Sequence, residues 1–207
     1  MKFYQPEKGQ TLVETMVAIF ILVMGITAAL GLAIYSFNAS SLVNKQLAAM
    51  GLAREGMEAV KNMRDTNWLQ SVQFDPTCNC YLNWQQGYYN IEPNGTQTYT
   101  LDFIPLSSPY WQLSQQSTNF RLSYDANATN GRLYYPNTSG GTASDYYRRI
   151  TLTENTAAPY SSTSPRVEVT SDVWWNDRKC PTVTTYELSK TSCRVRLRTY
   201  LTNWKNY

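Results

Sequence analysis

The 207-residue sequence contains no histidine, the side chain that most often serves as a general base near neutral pH and as a nitrogen ligand for metals. It also lacks a Gly-x-Ser-x-Gly motif and a glycine-rich phosphate loop, and its acidic residues are scattered without a visible carboxylate pair. These absences argue against an enzyme, so we expect no catalytic residue, no cofactor and no metal site. A net charge of +3 is too small to indicate a nucleic-acid partner by itself.

Charge is also missing from a long stretch near the N-terminus. After Glu14 the sequence has no charged residue for thirty positions, and an apolar run begins at Met16 and ends at Ile34. This run matches the length of about 20 residues that a helix needs to cross a bilayer. It is longer than the roughly 7–15 residues typical of the apolar part of a cleaved secretory signal. Because Lys2 and Lys8 precede it, the leader is expected to stay in the cytoplasm and the remainder to lie outside.

The residues from Lys8 to Glu14, Lys-Gly-Gln-Thr-Leu-Val-Glu, closely resemble the class III signal of bacterial type IV pilins and type II secretion pseudopilins. The resemblance implies that a prepilin peptidase cleaves after Gly9 and methylates the new N-terminus at Gln10, so that Glu14 becomes the fifth residue of the mature chain. The family more usually has phenylalanine at that N-terminus, a departure that leaves the processing prediction in place. Two alternatives are a plain signal anchor with an incidental glutamate and secretory cleavage near residues 31–33.

The same resemblance gives Glu14 a role in assembly. Helices packed in a filament would bury each free N-terminal amine, and a carboxylate from a neighbouring subunit can neutralise that amine. Two unit charges about 4 Å apart attract by about 4 kcal/mol at an effective dielectric constant near 20. Such a pair would favour docked subunits and set their axial register.

The resemblance also implies an α+β, pilin-like fold, with a long N-terminal helix packed on a C-terminal antiparallel β-sheet head. We expect a leader at 1–9, the transmembrane or filament-core half of the helix at 10–35, its amphipathic half at 36–64 and the head at 65–207. In the amphipathic half, apolar residues recur at spacings of three and four, which predicts one stripe covering the sheet. These residues are Val43, Leu47, Met50, Ala53, Met57 and Val60. Asp65, Thr66 and Asn67 are expected to end the helix.

Two glycines, Gly25 and Gly31, interrupt the apolar run. Glycine costs about 1 kcal/mol in a helix interior. Close packing among small residues in a membrane is one explanation. Local unwinding on entry into a filament, which the pilin resemblance implies, is the other, and the sequence leaves both open.

Alternating polar and apolar residues predict strands in the head at 99–104, 120–124, 132–135, 146–153, 166–175 and 194–204. The last two are expected to pair as a C-terminal hairpin, 166–204. Turn-forming residues after the helix indicate a loop, and the resemblance assigns 65–98 to the variable αβ-loop of pilins. All six tryptophans and fourteen of the sixteen tyrosines follow residue 65. We expect them to pack the sheet and its loops, with an adhesive surface as the alternative.

Four cysteines, Cys78, Cys80, Cys180 and Cys193, all follow the apolar run. An even number in an exported domain indicates disulfides, although four cysteines permit three full pairings. Cys180 and Cys193 bracket the loop of the predicted hairpin, and a disulfide between them would resemble the C-terminal disulfide loop of many pilins. Cys78 and Cys80 are a possible second thiol pair. A bond across one residue is strained, so cross-pairing, free thiols and zinc binding by all four cysteines stay open as well.

Three arginines, Arg194, Arg196 and Arg198, alternate along the last predicted strand and therefore share one of its faces. Such a strip would suit contact with nucleic-acid phosphates beside stacked aromatic rings. We favour the alternative in which the arginines pair across strands with Glu168 and Asp172.

These features predict a structural subunit, a minor pilin or pseudopilin, of a type IV pilus-like filament. Its expected partners are other pilin subunits, the prepilin peptidase, an inner-membrane assembly platform and, before assembly, membrane lipid. The expected location is the cytoplasmic membrane, crossed once with the head outside, and then an extracellular pilus or a periplasmic pseudopilus. The alternative is a membrane-anchored extracellular binding module, an adhesin or DNA-uptake receptor, that does not polymerise.

Overall fold

The computed structural model describes residues 11–70, 73–75, 80–82, 84–85, 89–91, 93, 95–104, 110–124, 134–136, 141–160, 165–180 and 183–203. For residues 70, 73–75, 80–82, 103–104, 110 and 134–135 it describes the backbone. The chain divides into two compact units, Met1–Asn44 and Lys45–Tyr207. The first unit contributes the start of one long helix, and the second contributes the rest of that helix and the strands.

The long helix, α1, runs from Leu12 to Gln70 and is followed by an antiparallel sheet, so the predicted α+β, pilin-like fold is confirmed. The sequence suggested that the helix ends at residues 65–67, but it continues to Gln70. Asn67 is buried, and its side-chain amide donates to the carbonyl oxygens of Trp84 at 3.1 Å and Tyr89 at 2.7 Å. Its amide oxygen accepts from the Tyr89 N–H at 2.7 Å. Asn67 therefore holds the following segment against the helix instead of stopping it.

The described part of the first unit, residues 11–44, is helical from Leu12 onward and exposed almost throughout. Its apolar side chains lie on all sides of the helix, and the most apolar 18-residue window is 0% buried. The Thr27 hydroxyl donates to the carbonyl oxygens of Val23 at 3.0 Å and Met24 at 2.9 Å, which satisfies a polar group within the apolar stretch. This is a helix long and apolar enough to cross a membrane.

The described part of the second unit contains nine strands, all paired antiparallel. They are β1 (Gln73–Asp75), β2 (Cys80–Leu82), β3 (Thr96–Ile104), β4 (Tyr110–Gln115), β5 (Arg121–Tyr124), β6 (Tyr134–Pro136), β7 (Thr142–Asn155), β8 (Arg166–Trp175) and β9 (Arg194–Leu201). β1 and β2 form a small ribbon, and the other seven form one sheet. The ribbon and the helical turn at 65–70 lie where the sequence suggested a loop, and strand β4 was not among the predicted strands.

β7, with 14 residues, organises the large sheet. Along one edge it pairs with β5 through its first half and with β3 through its second half. Along its other edge it pairs with β8 over ten residues, and β8 in turn pairs with β9. The predicted hairpin of the last two strands is present, with β9 ending at Leu201, and residue 204 lies outside the described residues.

The helix packs on the sheet through a shorter stripe than the sequence suggested. Val43 is 51% exposed and Leu47 is 65% exposed, so neither belongs to the buried face. Burial begins at Ala49, and helix residues from Met57 to Trp68 share one cluster with sheet residues. The sheet residues of this cluster are Leu101, Ile150, Leu152, Val167, Val169 and Leu201. The spacing of apolar residues located the helix face but not the point at which the sheet begins to cover it.

The other face of β8 is also buried near its C-terminal end. Trp174 is 0% exposed and packs with Phe120, Tyr147 and Tyr186 in a second cluster. Tyr186 belongs to a short 3₁₀ turn, Tyr186–Leu188, in the loop between β8 and β9. Alternation along β8 places Trp174 on the same side as Glu168 and Asp172, and the folded loop shields this end of that side from water.

A disulfide joins Cys180 and Cys193 at the two ends of that loop, with a Cα–Cα distance of 6.0 Å. The pairing is the one that the pilin resemblance implied. An ion pair between Lys45 of α1 and Asp177, at 3.2 Å, ties the start of the same segment to the helix. Of the other two cysteines, Cys78 and the side chain of Cys80 lie outside the described residues.

A charged pair lies between helix and sheet, with its arginine buried and its glutamate partly exposed. The side chain of Arg148 is 0% exposed and lies 3.4 Å from Glu55 Oε2. Its guanidinium donates to the carbonyl oxygens of Leu52 at 3.3 Å and Leu101 at 3.5 Å. Burial lowers the pKa of Arg148, and Glu55 opposes this. Because an unpaired charge at this depth is costly, the pair favours one position of the helix on the sheet.

Gly56 stands beside this pair at the closest approach of helix and sheet. A Cβ atom there would lie 2.7 Å from Ile150 Cδ1 and 2.8 Å from Ser171 Oγ. Gly51, one and a half turns earlier, is exposed and has nothing within 4 Å of the same position. The packing of the sheet therefore requires a glycine at position 56 and does not require one at position 51.

We predict that Gly56→Ala destabilises the head relative to Gly51→Ala. Both substitutions gain the same helix propensity of about 1 kcal/mol, whereas Gly56→Ala alone carries an overpacking cost of about 1–3 kcal/mol. Urea unfolding of the two variants, followed by tryptophan fluorescence, measures the difference. Equal unfolding free energies would contradict the close helix–sheet approach.

Replacing Cys180 and Cys193 together by alanine is expected to lower the free energy of unfolding by about 3 kcal/mol, since a disulfide that closes a loop of this length restricts the unfolded chain. The loop also covers Trp174, so its fluorescence should shift toward the solvated value at lower urea concentration. An unchanged urea midpoint in the double variant would show that the bridge does not hold the loop.

Candidate functional site

The N-terminal segment is the first candidate site. Leu12 begins the helix, and the Glu14 N–H donates to the Thr11 carbonyl oxygen at 3.0 Å and to Thr11 Oγ1 at 3.4 Å. Thr11 thus caps the helix, and Glu14 follows it at the third helical position, where the helix dipole favours a carboxylate. The Thr-x-x-Glu spacing, from Thr11 to Glu14, is a capping-box signal that can be found in the sequence. Gly9 and Gln10 lie outside the described residues.

The predicted membrane segment is exposed along its whole length. Met16 is 63% exposed, Ile34 is 61% exposed, and no residue between them is buried within the described chain. Gly25 and Gly31 have nothing within 4 Å of the position that a Cβ atom would occupy, so no contact within the described part of the first unit requires a glycine at either place. This unit by itself leaves the apolar surface exposed.

The outer face of the sheet, opposite the helix, holds the second candidate site. Asp172 on β8 is 1% exposed and accepts two hydrogen bonds from Arg196 on β9, at 2.6 Å and 2.9 Å. Arg149 on β7 reaches the same carboxylate at 2.9 Å. The register places all three residues in one row across the sheet. The two guanidinium groups compensate the buried charge.

The three arginines of the predicted strip have different kinds of partner in this structure. Arg196 pairs with Asp172, and Arg198 pairs with Glu168 at 3.0 Å, which confirms the predicted cross-strand pairs. Arg194 turns instead to Tyr186, donating to its carbonyl oxygen at 3.3 Å and lying 4.9 Å from its ring centroid. Two of the three arginines are therefore in charge-compensated pairs, whereas Arg194 is held by a carbonyl oxygen and an aromatic ring.

Tyr186 is the centre of the end of this surface nearest the disulfide loop. Its ring packs edge-on against Trp174 at 6.0 Å between centroids, and the guanidinium groups of Arg149 and Arg196 lie 5.7 Å and 4.7 Å from it. Burial raises the pKa of the Tyr186 hydroxyl, and Asp172 adds to the effect. Arg149 and Tyr186 were not singled out from the sequence, because their position depends on strand register and on how the loop folds back.

Glu187 connects the loop to the sheet. It accepts a hydrogen bond from Arg149 at 2.6 Å, and this bond holds the pKa of Glu187 below its usual value of 4.5 despite partial burial. Burial by itself would lower the pKa of Arg149, but hydrogen bonds to Glu187 and Asp172 outweigh it and raise that pKa. Among the residues that the structure describes, no three acidic or cysteine side chains are grouped as a metal site.

The pKa of Glu187 predicts how the loop responds to acid. A carboxylate with a depressed folded-state pKa stabilises the fold above its unfolded-state pKa and loses that contribution as pH falls through the folded-state pKa. We expect the free energy of unfolding, measured with urea, to fall below about pH 4.5 and Glu187→Gln to reduce that fall by about 0.2–1 kcal/mol, the range for exposed pairs.

The matched control is Leu188→Gln, an uncharged and 70% exposed neighbour in the same turn. It should keep the acid response of the unaltered protein. An acid response that is the same with and without Glu187 would contradict the role of its pair with Arg149.

Comparison with known proteins adds one finding. The family model described as the prokaryotic N-terminal methylation motif matches residues 5–30. No curated protein and no solved structure gives a significant match. The matched region contains Gly9, Gln10 and Glu14 and most of the apolar run, which are the residues that carried the resemblance. The chain therefore carries the N-terminal prepilin signal of type IV pilins and pseudopilins, joined to an α+β, pilin-like fold.

Proposed function

We propose that this chain is a structural subunit, a minor pilin or pseudopilin, of a type IV pilus-like filament. It is cleaved after Gly9, methylated at Gln10 and assembled from the inner membrane. The observation that carries the proposal is the methylation motif at residues 5–30 on a helix whose apolar side chains are exposed on all sides. Such a helix is stable in lipid or among other helices and not in water.

Before assembly, the apolar run would cross the cytoplasmic membrane once with the head outside. The prepilin peptidase is the partner that acts there, and an inner-membrane assembly platform is the partner that extracts the subunit. Lipid and a bundle of neighbouring helices are similarly apolar, so moving between them yields little hydrophobic free energy. Packing and specific polar contacts must then favour the filament.

Glu14 is the group that we propose for this contact. It is the last charge before the apolar run, and it lies in the first turn of the helix as the structure describes it. In a filament its carboxylate would neutralise the methylated amine of Gln10 on a neighbouring subunit. At about 4 Å and an effective dielectric constant near 20, that attraction is about 4 kcal/mol.

Mass spectrometry of the mature chain and of sheared surface filaments tests the proposal. The expected mature N-terminus is N-methylated Gln10, and the chain should be present in the filament fraction. A mature chain that begins at Met1 would overturn the processing step. A processed chain that stays in the membrane fraction of piliated cells would instead favour an anchored binding module that does not polymerise.

We predict that Glu14→Leu leaves membrane insertion intact and reduces incorporation into filaments at least about tenfold, the factor that corresponds to 1.4 kcal/mol of the lost attraction. Quantitative immunoblotting of membrane and filament fractions measures both. Glu58→Leu is the control, because Glu58 is an exposed carboxylate on the same helix in an exposed pair with Lys61. Unchanged incorporation of Glu14→Leu would remove the proposed charge pair.

A further inference from the structure

A shallow groove crosses three strands on the face of the sheet opposite the helix. This outer groove is formed by alternate side chains of residues 149–153 on β7, 168–172 on β8 and 196–198 on β9, and it has a volume of about 190 Å³. Every side chain that lines it is an arginine, a threonine or an acid. A lining without apolar side chains selects a polar ligand.

The charges in the outer groove compensate one another. Its three arginines, at positions 149, 196 and 198, are matched by Asp172, Glu168 and, at the groove's end, Glu187. The formal charge of these six residues is therefore zero, and Arg166, at the end of the same face, adds one positive charge. These six residues together exert no net electrostatic attraction on a charged ligand. Each group can still form hydrogen bonds.

Hydrogen-bonding capacity is left over after this pairing. Arg198 binds Glu168 through Nε, and its two terminal nitrogens have no partner among the described residues, with 50% of the side chain exposed. The hydroxyls of Thr151 and Thr170 line the groove and likewise form no bond to the described part of the chain. Glu168 keeps one carboxylate oxygen, Oε2, as an acceptor. Donors and acceptors thus lie within reach of the same ligand.

An aromatic ring stands at one end of the outer groove. Tyr200 is paired with Glu168 in the register of β8 and β9, which puts it on the groove face, and it is 46% exposed. The Arg166 guanidinium lies 4.6 Å from its ring centroid and 5.0 Å from that of Tyr160, so stacking restrains the ring. Tyr200 follows Arg196 by four positions along β9, a span of about 14 Å.

We propose that the outer groove binds a neutral oligosaccharide. Sugar hydroxyls both donate and accept, and they match the free nitrogens of Arg198, the threonine hydroxyls and the Glu168 carboxylate. The apolar face of a sugar ring would stack on Tyr200, a side chain that combines a flat apolar surface with a polar tip. This ligand class goes beyond filament assembly and does not rest on it, because the groove lies wholly within the second unit.

Nucleic acid fits the same surface less well. A phosphate chain would meet the carboxylates of Glu168 and Asp172, and it could recruit Arg149 or Arg196 only by leaving Asp172 buried without its full compensation. Nucleic-acid binding also depends strongly on salt because counterions are released. Binding of a neutral sugar involves no such release, so ionic strength separates the two ligands.

The test uses the full-length protein in micelles of a detergent without a sugar headgroup. Saturation-transfer NMR and calorimetry with maltohexaose, cellohexaose and hexa-N-acetylchitohexaose supply the neutral probes, and oligogalacturonate and oligothymidylate supply the anionic ones. We expect at least one neutral oligosaccharide to bind with an affinity that is unchanged by added salt. Binding by none of the neutral probes, or salt-sensitive binding by the anionic probes alone, would overturn the proposal.

Variants then assign the bound sugar to the groove. Thr151→Val with Thr170→Val keeps side-chain shape on the strands and removes two hydroxyls, so the Kd should rise about tenfold. Tyr200→Ala should also raise it. The control is Thr142→Val, an exposed threonine on β7 outside the groove. Equal affinity in the double variant and the control, with circular dichroism showing both folded, would place the sugar elsewhere and refute the assignment.

Discussion

A helix that is apolar on every side imposes the main constraint on this protein. From Leu12 to Ile34 the side chains are exposed around the whole helix, and no residue of the described part of this unit covers them. At about 25 cal/mol for each Å² of apolar surface, leaving this segment in water would cost more than the stability of a typical domain. The environment must therefore supply the burial, either as lipid or as other helices. The methylation motif at the same end of the chain is the prepilin signal of type IV pilins and pseudopilins.

The same helix meets a second kind of surface in the head, where it is buried on one face. Ala49 marks the start of that face, and Asn67 and Trp68 lie at its far end. Hydrophobic contact alone would allow the helix to slide along its axis. The pair of buried Arg148 with Glu55 and the close approach at Gly56 each favour one register, since a shift would unpair a buried charge or bring a side chain into Ile150.

On the opposite face of the sheet, Asp172 is the buried charge that neighbouring residues compensate. A buried carboxylate is tolerated because Arg149 and Arg196 compensate it, and these arginines in turn surround Tyr186 of the disulfide loop. The loop thereby covers Trp174 and completes a second core, while the remaining polar rows stay open as the outer groove. The row of Arg149, Asp172 and Arg196 thus lies between the part of this face that the loop covers and the part that stays accessible.

Local patterns in the sequence determined the elements that depend on near neighbours. The absence of charge after Glu14, the Lys-Gly-Gln signal, the strict alternation of β8 and the pairing of Arg196 and Arg198 with acids on that strand were all readable there. Each depends on residues that are close along the chain or on a hairpin with an evident partner. The α+β class followed from the same signals together with the family resemblance.

Tertiary structure decided what depends on distant segments. The helix passes Asn67 because that side chain finds Trp84 and Tyr89, and Val43 and Leu47 stay exposed because the sheet does not extend over them. Trp174 lies on the same face of β8 as Glu168 and Asp172. It is buried because a loop folds back over it. Sequence periodicity tells which residues share a face, but only the packing of remote segments decides which part of that face is covered.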